Sequence, residues 1–280
     1  MEQVEAQFAG CAGVGIHTRS WLVRPARASV VVVHGLGEHG GRYAHVAQAL
    51  GSLGCAVHAL DHRGHGRSGG PRAFIDRWAH VVADVDQFID RVRQAAPSLP
   101  LFLLGHSMGG AIALASALGR PAPMSGLILS GPAVDLAGAP VLARALGKLL
   151  SVLAPRLGMI AVDPSLVSRD PQTVADYRAD PLNFHGKVPA RTIGEMVRFA
   201  EALPPRLPGL RLPLLALHGG ADRLAGPAGS RMIVERAGSR DKTLEVYEGL
   251  YHEIFNEPPS DRARVIGDLC GWVSRHIDAR

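Results

Sequence analysis

Short apolar runs alternate with helix-periodic segments along most of this chain, and that alternation predicts its architecture. Val30-Val31-Val32-Val33 is four consecutive β-branched residues, the pattern of a strand covered on both faces of a parallel sheet. Similar runs follow at 55–60, 101–104, 126–130, 214–217 and 243–247. Between them, 78–96 repeats apolar residues at helical spacing (Val81, Val85, Phe88, Ile89, Val92) and stops at Pro97. Segments 43–53, 111–118, 227–237 and 259–277 also read as helices. Strands alternating with helices predict an α/β fold with a mostly parallel central sheet and helices on both faces.

The alternation is interrupted once. Residues 132–208 hold about half of the 20 prolines and no β-branched run, which predicts an α-helical insertion rather than more sheet. The expected organisation is a core of residues 1–131 and 209–280 carrying a helical cap at 132–208. The cap's first helix, 141–153, gathers Leu142, Ala145, Leu146, Leu149, Leu150 and Leu153 on one face, opposite Arg144, Lys148 and Ser151. Prolines at 140 and 155 and two basic residues make it too short and too polar to span a bilayer, which needs roughly 20 apolar residues. Its apolar face is expected either to pack on the core or to gate substrate while touching lipid.

Candidate chemistry centres on Gly105-His106-Ser107-Met108-Gly109, which joins the apolar run 101–104 to an alanine-rich helix. Strand, tight turn and helix around Gly-x-Ser-x-Gly form a nucleophile elbow, with Ser107 exposed at its apex. A serine at its ordinary pKa needs a base, and the base needs an orienting group. In this architecture the order is serine, acid, histidine, and His252 follows the last strand while preceding the terminal helix. Asp222, five residues past the strand at 214–217, is the expected acid; Asp135 is the rival. The amides of Leu36, in the Gly-rich loop after Val33, and of Met108, just after the nucleophile, are the expected oxyanion-hole donors.

Composition narrows the alternatives. The chain has 280 residues, is 47% hydrophobic and carries a net charge of +5, enough for a sizeable core. Its arginines are scattered among acids without a basic block, so nucleic-acid binding is not expected. Cys11, Cys55 and Cys270 are odd in number and lack Cys-x-x-Cys spacing, which argues against a disulfide framework or zinc site. His62 and His65 have no partner at ligand spacing and read as structural; no metal or cofactor is implied. The N-terminus has no basic region ahead of an apolar stretch, so a cytoplasmic protein, at most peripherally membrane-associated, is expected.

Four motifs then carry a resemblance: His34-Gly-x-Gly-Glu-His-x-x-Arg-Tyr43, Asp61-x-Arg-Gly-His-Gly-x-Ser68, Gly105-His-Ser-Met-Gly-Gly110 and Leu250-Tyr-His-Glu-Ile-Phe-Asn-Glu-Pro258. Together with Tyr177-x-x-Asp-Pro-Leu182 in the insertion, they resemble the bacterial monoacylglycerol lipases of the α/β-hydrolase superfamily. The resemblance covers about residues 8–278. It implies an α/β-hydrolase fold with a cap, and Ser107, Asp222 and His252 as nucleophile, acid and base. It also implies the Leu36 and Met108 amides as oxyanion hole, and Glu38 and Arg42 near a glycerol head group. The implied reaction is hydrolysis of a lipid ester to fatty acid and glycerol through an acyl-serine, without a cofactor. A short-chain carboxylesterase or a lysophospholipase would use the same triad. One departure is visible: Ala225 stands where mammalian members carry a cysteine.

Overall fold

Period-two packing organises the sheet. In the computed structural model, which describes residues 1–119, 124–135 and 141–278, the strand Ala28–Val33 points Val31 and Val33 to one face and Val30 and Val32 to the other, all fully buried. In chain order the sheet strands are β1 (Glu2–Ala9), β2 (Gly15–Leu22), β3 (Ala28–Val33), β4 (Cys55–Leu60), β5 (Leu101–His106) and β6 (Gly126–Ser130); β7 (Gly158–Ile160) and β8 (Val188–Pro189) lie in the insertion, and β9 (Leu214–Gly219) and β10 (Lys242–Tyr247) complete the sheet. Their spatial order is β1-β2-β4-β3-β5-β6-β9-β10. Every pairing from β4 to β10 is parallel, with Val31 opposite Leu103 and Leu104 opposite Ile128. The two N-terminal strands add antiparallel, Phe8 opposite Ile16 and Trp21 opposite Val57. No apolar run before Val30 predicts a strand, so this antiparallel edge is an addition to the expected sheet.

Helices cover both faces. On one side α1 (Ala44–Ser52) and α8 (Pro259–Asp278) bury Leu50, Leu269 and Trp272 against Val30, Val32 and Phe102. On the other, α2 (Trp78–Ala95), α3 (Met108–Gly119) and α7 (Ala228–Arg236) bury Phe88, Ile112 and Ile233 with Val31, Val33 and Leu103. Burying a side chain of this size contributes roughly 1.5–3 kcal/mol, so the two layers fix the sheet on which the loops stand.

Between β6 and β9 lie α4 (Val141–Leu153), β7 (Gly158–Ile160), α5 (Pro171–Ala179), β8 (Val188–Pro189) and α6 (Ala190–Ala202). Thus the segment is helical with one small antiparallel β7/β8 ladder, which departs from the strand-free expectation. Pro140 lies outside the described residues. Helix α6 docks on the core: the Thr192 hydroxyl donates to Ala73 O at 2.7 Å and accepts from Ile75 N at 2.9 Å, while Trp78 and Phe199 stack at 5.0 Å.

Helix α4 reverses one of the two expectations for it. Its leucines do not pack on the core: Leu142 is 80% and Leu153 71% exposed, and Leu146, Leu149 and Val152 also face outward. The buried side is the small and polar one, Gly147 and Ser151. The reason lies in α6, where a side chain at Gly194 would strike Ser151 and where Glu201 pairs with Lys148 (2.8 Å) and Arg144 (3.5 Å). Arg198 completes the contact by donating to the Ser151 hydroxyl at 2.7 Å.

Candidate active site

The turn after β5 is as tight as the sequence requires. Ser107 adopts φ 53°, a left-handed conformation rare outside glycine, which stores strain unless the surroundings hold it. They do: Ser107 N donates to Ser130 O at 2.9 Å, and Ser107 O accepts from Gly110 N (3.0 Å) and Ala133 N (3.0 Å). A Cβ on Gly105 would lie 2.5 Å from Gly109 O and 2.8 Å from the Ala113 methyl, and one on Gly109 would overlap Val33 O and His34 O. Both glycines are therefore required by contact with neighbouring backbone. Met108 opens α3, so its amide belongs to the unpaired first turn and sits at the positive end of the helix dipole.

The loops after β9 and β10 bring Asp222 and His252 together. His252 Nδ1 lies 2.6 Å from Asp222 Oδ2, and Asp222 Oδ1 accepts from the amides of Leu224 (2.8 Å) and Ala225 (2.9 Å). His218, at the end of β9, stands behind: its Nε2 is 2.8 Å from Ala225 O and 3.2 Å from Asp222 Oδ2, its Nδ1 2.7 Å from the Ser230 hydroxyl. Burial disfavours the Asp222 charge, but the hydrogen bonds from His218 and His252 outweigh it and hold the carboxyl well below its ordinary range. Burial likewise pulls His252 down, and the bond to Asp222, with the fields of Asp222, Glu253 and Glu38, pushes it above 6.5 on balance. Asp135, the rival acid, turns its carboxylate toward Gly226 instead.

Glu38 and Arg42 form the polar end. Glu38 Oε1 accepts from Gly35 N (2.6 Å) and the Tyr43 hydroxyl (2.8 Å), and its Oε2 from Arg42 (3.0 Å). Arg42 also clamps Glu253 through two bonds of 2.6 and 2.7 Å and lies 4.9 Å over the Tyr177 ring. Phe184 N donates to Gly37 O at 2.8 Å, tying the loop of Leu36 to the insertion. Behind it His34, His62 and His65 are fully buried; burial brings His62 to about 3 and His65 to about 4 and keeps all three neutral. His34 and His62 brace each other: the His62 amide donates to His34 Nε2 at 2.9 Å, and His62 Nε2 lies 3.1 Å from His34 O. Among the described residues no group of three His, Cys, Asp or Glu side chains is arranged to hold a metal ion.

Ser107, His252 and Leu36 line one cavity of about 180 Å³. The insertion supplies its apolar wall with Ile160, Val162, Val167, Ile193 and Met196; Glu38, Tyr177 and Glu253 form the polar part. A mixed lining of this kind accommodates a ligand with an apolar tail and a hydroxylated head.

A family model described as serine aminopeptidase, S33, matches residues 24–259. The chain is also 44% identical over 276 residues to a monoacylglycerol lipase of Mycolicibacterium smegmatis, with 98% of each chain covered. The chain belongs to the monoacylglycerol lipase family of α/β-hydrolases. Membership extends to more distant relatives: identity to the monoglyceride lipase of Rattus norvegicus is 38% over 253 residues, covering 90% of this chain and 84% of the relative. The solved monoacylglycerol lipase of Paleococcus ferrophilus, 32% identical, superposes with a TM-score of 0.81 over 99% of this chain and 100% of that one.

As a member of the monoacylglycerol lipase family, the chain brings all seven sequence-derived positions, Leu36, Glu38, Arg42, Ser107, Met108, Asp222 and His252, to one end of the sheet. Three contributors escaped the sequence reading. Glu253 was visible only as part of the His-Glu-Ile-Phe motif, and the Tyr43 hydroxyl only as the end of the His34–Tyr43 motif. His218 gave a usable signal, since a histidine ending a strand four residues before the acid reaches back to it.

Proposed function

We propose that this protein hydrolyses monoacylglycerols to fatty acid and glycerol through an acyl-Ser107 intermediate. The observation that carries the reading is the Asp222–His252 bond of 2.6 Å opening onto the same mixed apolar and polar cavity as Ser107. The names of the relatives support the substrate class.

In the first half-reaction His252 Nε2 takes the Ser107 proton as Oγ attacks the ester carbonyl. The Leu36 and Met108 amides receive the developing oxyanion, and Asp222 stabilises the imidazolium without taking its proton. The imidazolium then protonates the departing glycerol oxygen as the carbonyl re-forms. Water, deprotonated by His252, repeats the sequence on the acyl-serine and releases the fatty acid. The apolar wall of the insertion holds the acyl chain, and Glu38 with Arg42 faces the glycerol hydroxyls.

Residues 132–208 act in this reading as a cap over the cavity, and the outward leucines of α4 rest on the lipid surface that supplies the substrate. No helix among the described residues is long and apolar enough to cross a membrane. Three free thiols, Cys11, Cys55 and Cys270, suit a reducing cytoplasm with peripheral attachment.

The test is a rate comparison of the purified protein on monoacylglycerol, diacylglycerol, lysophosphatidylcholine and a short p-nitrophenyl ester, with Ser107→Ala as blank. A marked preference for monoacylglycerol supports the proposal. Faster turnover of the short ester, with little on monoacylglycerol, replaces it with a general carboxylesterase, and a preference for the lysolipid with a lysophospholipase.

A further inference from the structure

Arg42 is charge-compensated twice. Glu38 Oε2 accepts from its Nη1 at 3.0 Å, and Glu253 takes both ends of the guanidinium at 2.6 and 2.7 Å. One carboxylate suffices to balance one guanidinium, so the trio is left with one negative charge in excess. All three groups are largely buried, and Glu38 and Glu253 line the cavity itself.

The surroundings do not cancel that excess. Tyr43 and Tyr177 face the trio, and burial together with the two carboxylates keeps both phenols un-ionised; the result for each is a neutral neighbour. His106 is held neutral by burial and the nearby His252, at about 4. Across the cavity Asp222 carries a further negative charge, which the base form of His252 leaves uncancelled. Asn256 donates to Glu253 Oε2 at 2.9 Å without contributing charge. His45, on the outer side near Arg42 and Glu253, is pulled down by burial and is neutral at pH 7 and above. Of these groups only Arg42 is positive, and it is saturated.

We infer that Glu253 is a specificity-determining residue that makes the head-group end of the site net negative, so that esters with neutral or cationic head groups are accepted and those with anionic head groups are excluded. The inference rests on the monoacylglycerol reading for the position of the head group. Its physical basis is repulsion: a phosphate entering here loses its water and meets an uncompensated carboxylate in a low-dielectric pocket. Neutral glycerol keeps its hydrogen bonds and meets no such barrier. Exclusion by an unfavourable charge separates monoacylglycerols from the monoacyl phosphates that share their acyl chain and ester, which an apolar wall cannot do.

The experiment compares kcat/KM for three oleoyl esters in neutral detergent micelles at fixed salt: 1-oleoylglycerol, 1-oleoylglycerol 3-phosphate and oleoylcholine. Wild type is expected to disfavour the phosphate ester strongly. Glu253→Gln, nearly isosteric, is expected to raise the anionic-to-neutral ratio by about ten-fold or more, as for removal of a unit charge several ångströms away at an effective dielectric near 20. The cationic-to-neutral ratio is expected to fall in the same variant. Opposite movement of the two ratios distinguishes a charge effect from a loosened pocket, which raises both. Glu38→Gln, removing the same charge from the other side of Arg42, is expected to move both ratios in the same directions, and Glu253→Asp to keep the wild-type order. Wild-type turnover of the phosphate ester equal to that of 1-oleoylglycerol overturns the inference even if no variant folds, as do unchanged or parallel ratios in folded variants. Loss of the monoacylglycerol reading is seen separately, as absent hydrolysis of 1-oleoylglycerol by wild type, and the charge rule is then read from the other two esters.

Discussion

His252 Nδ1 and Asp222 Oδ2 meet at 2.6 Å, and the other Asp222 oxygen is fixed by the amides of Leu224 and Ala225. A carboxylate can only accept, so this bond places the imidazole proton on Nδ1 and leaves Nε2 free to accept from Ser107. An amide at 222 would offer its NH2 to the same nitrogen and invert the tautomer. We expect Asp222→Asn to fold and to lose roughly 10⁴ in kcat. Asp135→Asn should stay within a few-fold of wild type; steady-state kinetics with a chromogenic ester decides, and the reverse ranking would reassign the acid.

The direction of the His252 shift sets a pH limb. The base works only when neutral, and its affinity for a proton is raised above the ordinary 6.5. Activity should therefore climb with pH through a midpoint above 6.5 and be lost below it. A kcat/KM profile on a soluble ester that is flat down to pH 5.5 would remove His252 from the base role.

Acid stability follows from the buried neutral histidines. His62 is held at about 3 and His58, His65 and His106 at about 4, with His34 also depressed, each chiefly by burial. Their folded values lie below the unfolded one, so the stability they contribute is fully present above pH 6.5 and is lost as pH falls toward 4. Near pH 5 unfolding should take up about four protons. Calorimetry in buffers of different ionisation enthalpy measures that number; uptake below one proton would contradict the neutral cluster.

Helix α4 should act only where substrate is presented at a surface. Leu142→Glu with Leu149→Glu adds charge to its outward face without touching the α6 contact. We expect vesicle binding to weaken by at least about ten-fold and the melting temperature to change little, since substitutions at exposed positions shift stability within about 0.5 kcal/mol. Hydrolysis of a soluble p-nitrophenyl ester should persist. Undiminished vesicle binding, measured by co-sedimentation, would assign the leucines another partner.

The parallel core and the elbow were legible because their signals are local: a β-branched run, a glycine pair at a clashing turn, a histidine between last strand and last helix. What was missed depends on tertiary context. In β1 only Phe8 is buried, since the strand is an edge over solvent, and its polar composition hides the pairing with β2. The orientation of α4 could not be read from its own periodicity, because Gly194 and Glu201 on α6 decide which side is covered. Glu253 needed the fold to bring it to Arg42, 211 positions away in sequence.

The hydrogen bonds at Ser107 also bear on how the enzyme can be rebuilt. Ser130 O, at the end of β6, and Ala133 N, three residues on, clamp the elbow, and Gly131 N is pinned to Leu217 O at 2.9 Å. The nucleophile's geometry is thus sealed by the end of β6 and the first two residues of the insertion. Any opening motion must pivot beyond Ala133, and a graft of another member's insertion at that joint should exchange substrate range while leaving the chemical step untouched.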